Sequence, residues 1–199
     1  MQEDKDQDRI EAAKHLTKRD PRAAAEAFRE IACDDQVDGG LRLQAAGQLP
    51  GLDQRIAAES FRVIAYDDDL DDGLRLQAAA QLPQLDQRIA AEAFREIACD
   101  ARVDGGLRLQ AAAQLPGLDP RIAAEAFREI ACDDQVDGGL RLQAAAQLPG
   151  LDPRIATGAF RVIAYDDGLD DVLRTEAAAQ LGKLDPRAAE HALRNISRD

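Results

Sequence analysis

Tryptophan is absent from this sequence, methionine occurs once, and five Phe and two Tyr are the only aromatic residues among 199. So small an aromatic supply leaves little for stacking on nucleobases. Basic residues are also short: 25 Lys and Arg stand against 38 Asp and Glu, for a net charge of −13. A chain with that balance lacks the basic face that neutralises phosphates, which argues against a nucleic-acid partner, while basic proteins or peptides are allowed. Lysine is confined to Lys5, Lys14, Lys18 and Lys183, which leaves almost all positive charge on Arg. Those arginines recur at fixed intervals, a placement that suits paired, geometry-dependent roles more than a diffuse solubilising coat.

Long apolar runs are missing too. Nothing approaches the roughly 20 residues a membrane span requires, and the opening "MQEDKDQDRIEAAKHLTKRD" is charged throughout, unlike a signal peptide. The expectation is a soluble, cytoplasmic chain with no membrane partner. Cysteine is limited to Cys33, Cys99 and Cys132, all in one phase of a 33-residue interval. Neighbours in such a column would sit about one helix-packing distance apart, roughly 8 to 10 Å, beyond the Cα separation of about 7 Å that a disulfide tolerates. Free thiols are expected, as in a reducing compartment.

What the sequence has in abundance is repetition. "LDPRIAAEAF" at 118–127 returns as "LDPRIATGAF" at 151–160, and Asp20, Asp53, Asp86, Asp119, Asp152 and Asp185 share one phase. Arg follows two residues after each, and a large apolar residue stands at Phe28, Phe61, Phe94, Phe127, Phe160 and Leu193. A period held this strictly marks a repeat array. Copies 20–52 and 119–151 differ only at Ala23 versus Ile122 and Gly47 versus Ala146.

The copy at 86–118 shows what each unit builds. Ile89, Ala90, Ala93, Phe94 and Ile97 recur at three- and four-residue spacing while Arg88, Glu92, Arg95 and Glu96 share the other side, which predicts an amphipathic helix. Asp86 is its N-cap, and sister copies place Pro at the next position. A second, shorter helix starts after Asp104 and runs through "GGLRLQAAAQL" until Pro116 and Gly117 stop it. With Leu107 set at zero, Ala111 lies near ~40°, Leu115 near ~80° and Ala112 near ~140°, so the buried stripe is centred near ~70° and Arg108, at ~100°, lies inside it. A guanidinium there needs a carboxylate or carbonyl, either from Asp104 one turn earlier or from a loop Asp of the neighbouring copy.

The pattern Asp104, Leu107, Arg108, Ala111, Ala112, Leu115 resembles the second helix of HEAT-like repeats, the short class found in phycobilisome lyase-type and armadillo-like proteins. It returns from Asp38, Asp71, Asp137 and Asp170. The resemblance implies an all-α, right-handed α-α superhelix, or solenoid, of about twelve antiparallel helices. It also implies a structural ladder of Asp38 with Arg42, Asp71 with Arg75, Asp104 with Arg108, Asp137 with Arg141 and Asp170 with Arg174. The sequence departs from the family in its longer loop, with Gly39 and Gly40 where Pro is frequent. Ankyrin repeats share the period but not their T-P-L-H turn, and tetratricopeptide repeats need 34 residues and aromatic knobs.

The array reads as a single domain, 1–199. A capping segment at 1–19 precedes two-helix copies at 20–52, 53–85, 86–118, 119–151 and 152–184, and 185–199 closes it. The caps carry polar residues such as Glu11, Lys14, His15, His191 and Asn195, which suits stack ends meeting water. No catalytic cluster is visible: His15 and His191 lie in opposite caps. The cysteine column has no second ligand at metal spacing. "DDDLDDG" at 67–73 has a calcium-loop look through Asp67, Asp69 and Asp71, but Asp72 holds the place of the required Gly and Ala78 that of the Glu. Neither cofactor nor metal is expected.

Two surfaces remain. The loop aspartates form an acidic edge that a basic protein could meet. The exposed side of the second helices carries Gln77, Gln110 and Gln143 in one column and Gln81, Gln114 and Gln147 in another, with small residues at Ala80, Ala113 and Ala146. The resemblance implies that this side is concave and binds partners. The function expected is a non-enzymatic scaffold for protein–protein interaction. A HEAT-like lyase or DNA-glycosylase-type enzyme or accessory is the alternative, and a self-assembling spacer a third reading.

Overall fold

Helices begin in this chain wherever an Asp carboxylate meets backbone N–H groups that have no helical partner. Asp53, Asp119 and Asp152 each accept from the N–H groups two and three residues on, at 2.8 to 3.2 Å. Asp38, Asp71, Asp104 and Asp137 do the same at 2.9 to 3.4 Å. The first group precedes Ala-rich amphipathic segments, several with Pro at the first helical position, where its missing N–H costs nothing. The second group precedes shorter segments opening on Gly or Asp.

The computed structural model describes residues 2–197. Among them are twelve α-helices and no strand: α1 (Gln2–Leu16), α2 (Pro21–Ala32), α3 (Gly39–Ala46), α4 (Gln54–Ala65), α5 (Asp72–Ala79), α6 (Gln87–Cys99), α7 (Gly105–Gln114), α8 (Pro120–Cys132), α9 (Gly138–Gln147), α10 (Pro153–Ala164), α11 (Asp171–Leu181) and α12 (Pro186–Ile196). α1 starts well before the segment at 8–19 that aligns with a second helix. Glu3 and Asp4 in its first turn and Lys14 and His15 in its last complement the helix dipole and favour the extension.

The chain divides into two compact units, residues 1–97 and 98–199. In the first, α1 to α5 each pack on the next, and α1 on α3, α2 on α4 and α3 on α5 also touch. Two layers result, α2 and α4 in one and α1, α3 and α5 in the other. The second unit repeats the arrangement, with α8, α10 and α12 in one layer and α7, α9 and α11 in the other. Phe28 and Phe61 fill the first core beside Ala45, Ala46, Ala78 and Ala79; Phe127 and Phe160 fill the second beside Ala111, Ala112, Ala144 and Ala145. Alanine across the shorter helices lets the layers approach closely, and one Phe per copy is the largest buried apolar side chain.

At two glycines that closeness leaves room for a methyl only if a leucine tip shifts. A Cβ on Gly39 would stand 2.8 Å from a methyl of Leu70 and 2.9 Å from one of Leu74; on Gly138 it would stand 2.6 Å from Leu169 and 2.8 Å from Leu173. Conformational freedom is not the reason, since no described residue has a positive φ. Among the buried polar residues of the first unit is Ser60, whose hydroxyl finds no hydrogen-bond partner among the described residues. Its column is Ala at positions 27, 93, 126 and 159.

Urea denaturation should rank three substitutions. Gly138→Ala is expected to destabilise by about 1–3 kcal/mol through overpacking against Leu169 and Leu173. Gly158→Ala, in mid-α10 with nothing within 4 Å of the new methyl, should stabilise by up to about 1 kcal/mol. Ser60→Ala should stabilise by about 1 kcal/mol, because the desolvated hydroxyl is removed. A loss of stability for Ser60→Ala would show that its hydroxyl is satisfied in solution.

Candidate functional site

The one recurring chemical constellation is a guanidinium sunk between helices. Arg42, Arg75, Arg108, Arg141 and Arg174 are 2 to 4 % exposed, each in the buried stripe of a second-type helix. The helix ends beside them supply the first anchor. Arg42 Nε donates to the Ala32 carbonyl at 3.1 Å, Arg75 to Ala65 at 3.3 Å, Arg108 to Ala98 at 3.0 Å and Arg141 to Ala131 at 3.2 Å. These carbonyls belong to the last turn of the preceding helix and have no helical partner of their own, so the guanidinium caps one helix while it is held by another.

The second anchor is a carboxylate 25 residues ahead. Arg42 Nη1 donates to Asp67 Oδ2 at 2.6 Å, Arg108 to Asp133 at 2.6 Å and Arg141 to Asp166 at 2.6 Å. These aspartates are 20 to 25 % exposed and hold their own loops by accepting from a backbone N–H two residues on. The same offset joins Arg9 of α1 to Asp34 at 3.2 Å, and Arg9 also meets the buried Asp6 at 2.9 Å. Acids of their own copies also meet Arg75 and Arg174: Asp72 and Asp68 lie 3.1 Å from Arg75, and Asp171 and Asp167 lie 3.2 and 3.3 Å from Arg174. Asp72 and Asp171 stand in the column that holds Gly39, Gly105 and Gly138 elsewhere, and each reaches the Arg three residues on.

The ladder implied by the family resemblance therefore needs a correction in its acidic column. The structure places Asp38, Asp71, Asp104, Asp137 and Asp170 at helix N-caps. The carboxylates that meet Arg42, Arg108 and Arg141 are those of Asp67, Asp133 and Asp166. A capping carboxylate points back over its own first turn to meet N–H groups, away from the arginine one turn later. Of the two sources open in the sequence, the loop Asp of the neighbouring copy is the one used. Arg9 and Asp34 escaped notice although Arg9 lies 33 residues before Arg42; the charged surroundings in α1 hide the phase.

Electrostatics follow the geometry. The hydrogen bond from Arg108 holds the Asp133 carboxyl below the usual aspartate range, and Arg141 does the same for Asp166; partial burial opposes the shift in both. Burial pushes the Cys132 thiol upward, away from thiolate reactivity. Cys33 and Cys132 form no disulfide, and their residues are exposed overall. Among the described residues no group of three or more His, Cys, Asp or Glu is placed to hold a metal. In the segment with a calcium-loop look, Asp67 belongs to Arg42 and Asp71 to a helix cap. His191 is exposed and meets Tyr165, its Nδ1 lying 2.6 Å from the phenol oxygen with the rings stacked at 5.9 Å.

Gln77 and Gln81 in the first unit, and Gln110, Gln114, Gln143 and Gln147 in the second, are all exposed, as are Ala80, Ala113 and Ala146. In the first unit this side carries a shallow hollow of about 320 Å³ lined by Leu43, Gly47, Phe61, Gln77, Ala80 and Gln81. A larger one of about 530 Å³ lies beside α2, α4 and α6, where Arg29 and Arg55 mix with Glu26, Glu59 and Asp86. No helix among the described residues is long and apolar enough to cross a membrane.

The two aspartate columns should separate by mutation. Asp166→Ala leaves Arg141 buried without its carboxylate and is expected to cost about 3–5 kcal/mol. Asp137→Ala loses a helix cap and should cost about 0.5–2 kcal/mol; equal losses would deny Asp166 its special role. The lowered carboxyls of Asp133 and Asp166 give a pH signature. Their stabilisation is fully present above the unfolded aspartate value of about 3.9 and is lost as pH falls from there through the lower folded values. Acid titration of stability should therefore steepen below about pH 4, and the Asp133→Asn/Asp166→Asn chain should flatten that limb. Comparison with protein-family models, with curated proteins and with solved structures finds no match to this chain.

Proposed function

We propose that the chain is a non-enzymatic helical-repeat scaffold that binds protein or peptide partners on the face of its shorter helices, with the acidic loops contributing to basic ones. In this reading the helices of each unit form a segment of right-handed α-α superhelix of the HEAT-like kind, and the shorter helices line its concave side. The carrying observation is the exposed amide columns, Gln77 with Gln81 in the first unit and Gln110, Gln114, Gln143 and Gln147 in the second, separated by exposed alanines. A primary amide both donates and accepts, so spaced rows of them can meet the N–H and C=O groups of an incoming backbone without demanding a particular side chain. The intervening methyls let that backbone come close.

The buried arginines Arg42, Arg108 and Arg141 are committed to helix ends and loop carboxylates, so they are not available to a ligand. The net charge of −13 weighs against the DNA-glycosylase-like alternative. It favours basic partners, which exposed Asp38, Asp69 and Asp71 in the first unit and Asp134, Asp137 and Asp167 in the second would attract.

Site-specific photo-crosslinking in host lysate tests the reading. A photoreactive residue at Gln110 or Gln143 should give discrete protein adducts, whereas the same residue at Arg95 or Arg128, exposed on the longer helices, should give few. Adducts that are equal at the two sets of positions, or absent from both, would remove the second-helix face as the binding surface.

A further inference from the structure

We propose that the chain associates head to tail: α12 of one copy docks on α1 of a second, and the two build the helix pair that each inner copy makes from its own residues. α1 aligns with a second-type helix, and no first-type helix precedes it among the described residues; α12 is a first-type helix that no second-type helix follows. Each is therefore covered on one side only.

Exposure shows which side is open. Leu16 is 37 % exposed, whereas Leu49, Leu82, Leu115, Leu148 and Leu181 of the same column are fully buried. Ala12 is exposed where Ala45 and Ala78 are fully buried. The Arg9 side chain is 40 % exposed, against 2 to 5 % for the five arginines of its column. At the other end Leu193 is 42 % exposed in the column where Phe28, Phe61, Phe94, Phe127 and Phe160 are buried. α12 packs on α10 and α11 through Ala189, Ala192 and Ile196, while Glu190 and Ser197, on the side of Leu193, are exposed where Ala25 and Ala32 are buried.

These two sides are the halves of a contact the chain already makes. α2 packs on α3, α4 on α5, α8 on α9 and α10 on α11, and the columns of Phe28, Ala45 and Leu49 are closed off in those pairs. In the hybrid pair Leu193 of one copy enters the first column, and Ala12 and Leu16 of the other enter the second and third. Charge supplies the register. Arg42, Arg75, Arg108 and Arg141 each use a carbonyl ten residues back, at the end of the preceding helix. Arg9 has the carboxylates of Asp6 and Asp34 and no such carbonyl among the described residues. Ser197 stands in the column of those carbonyls, with Ala32, Ala65, Ala98 and Ala131. It closes α12 at the C-terminal end, where the helix dipole favours a cation. The Ser197 carbonyl of one copy thus supplies the acceptor that Arg9 of the next lacks.

The polar residues of the end segments leave these sides open. Glu11, Lys14 and His15 continue the columns of Gln77, Ala80 and Gln81, which are exposed within the chain as well; His191 and Asn195 continue those of Glu125 and Glu129, also exposed. Glu190, the acidic exception on the α12 side, already holds Arg194 of its own helix. The docking sides are separate from the amide columns, so they stand or fall independently of the partner-binding face.

Sedimentation equilibrium under reducing conditions, over about 1 μM to about 1 mM chain, tests this. The weight-average mass is expected to rise to about twice the monomer value or more, because unlike faces add copy after copy or close into a ring. Leu16→Glu and Leu193→Glu should each weaken association about tenfold or more, since each puts a charge into the buried centre of the contact. Mixed in equal amounts, the two variants should associate again and stop at a pair, because each keeps one sound end. A monomer throughout the range overturns the proposal. Association of either single variant at wild-type strength does so too, since it would show pairing of like ends or use of another surface, as does a mixture that associates no better than its components. Circular dichroism checks that the variants keep their helices; where a glutamate costs helix, Leu16→Ser and Leu193→Ser replace it with the same expected pattern.

Discussion

A guanidinium buried between two helices is the constraint on which the rest depends. Desolvating that charge is expensive, and it is tolerated only because a helix-end carbonyl and a loop carboxylate meet it together. Arg42, Arg108 and Arg141 each tie three pieces of chain: their own helix, the C-terminal turn before it and the loop of the next copy. The alanines around it cannot supply such direction. Methyl groups pack in many registers, whereas a planar fork with two fixed acceptors packs in few. Hydrophobic burial provides the drive and the arginines select the arrangement.

Most of the local structure was legible in the sequence because it rests on short-range physics. Asp before an apolar stripe meant a helix start, and the wheel angle of Arg108 placed it among alanines before any coordinate did. The Arg88–Glu92 contact, at 2.8 Å, also follows from four-residue spacing. Less was legible where two elements compete for one group. Asp104 looked like both a cap and an ion-pair partner, and only the path of the loop decides that it caps while Asp133 pairs. That path is a tertiary property, expressed in sequence only as a constant offset of 25 residues between one Arg and one Asp. The missing contact of Ser60 and the hollow at Gly47 were less visible still, since each depends on how neighbouring helices fit.

The exposed chemistry is divided by the same constraint. Because one arginine column is spent inside, on Arg42, Arg75, Arg108, Arg141 and Arg174, the loops it organises present their remaining acids outward. Variation between copies acts on such a surface without disturbing the core: Gly47 against Ala146 changes a wall, not a packing contact.

The offset of 25 residues has a kinetic meaning as well. Each arginine finds its acid across a short span of chain, and loop-closure entropy grows slowly but steadily with length. A chain wired through such near neighbours has low contact order and can fold quickly from several starting points.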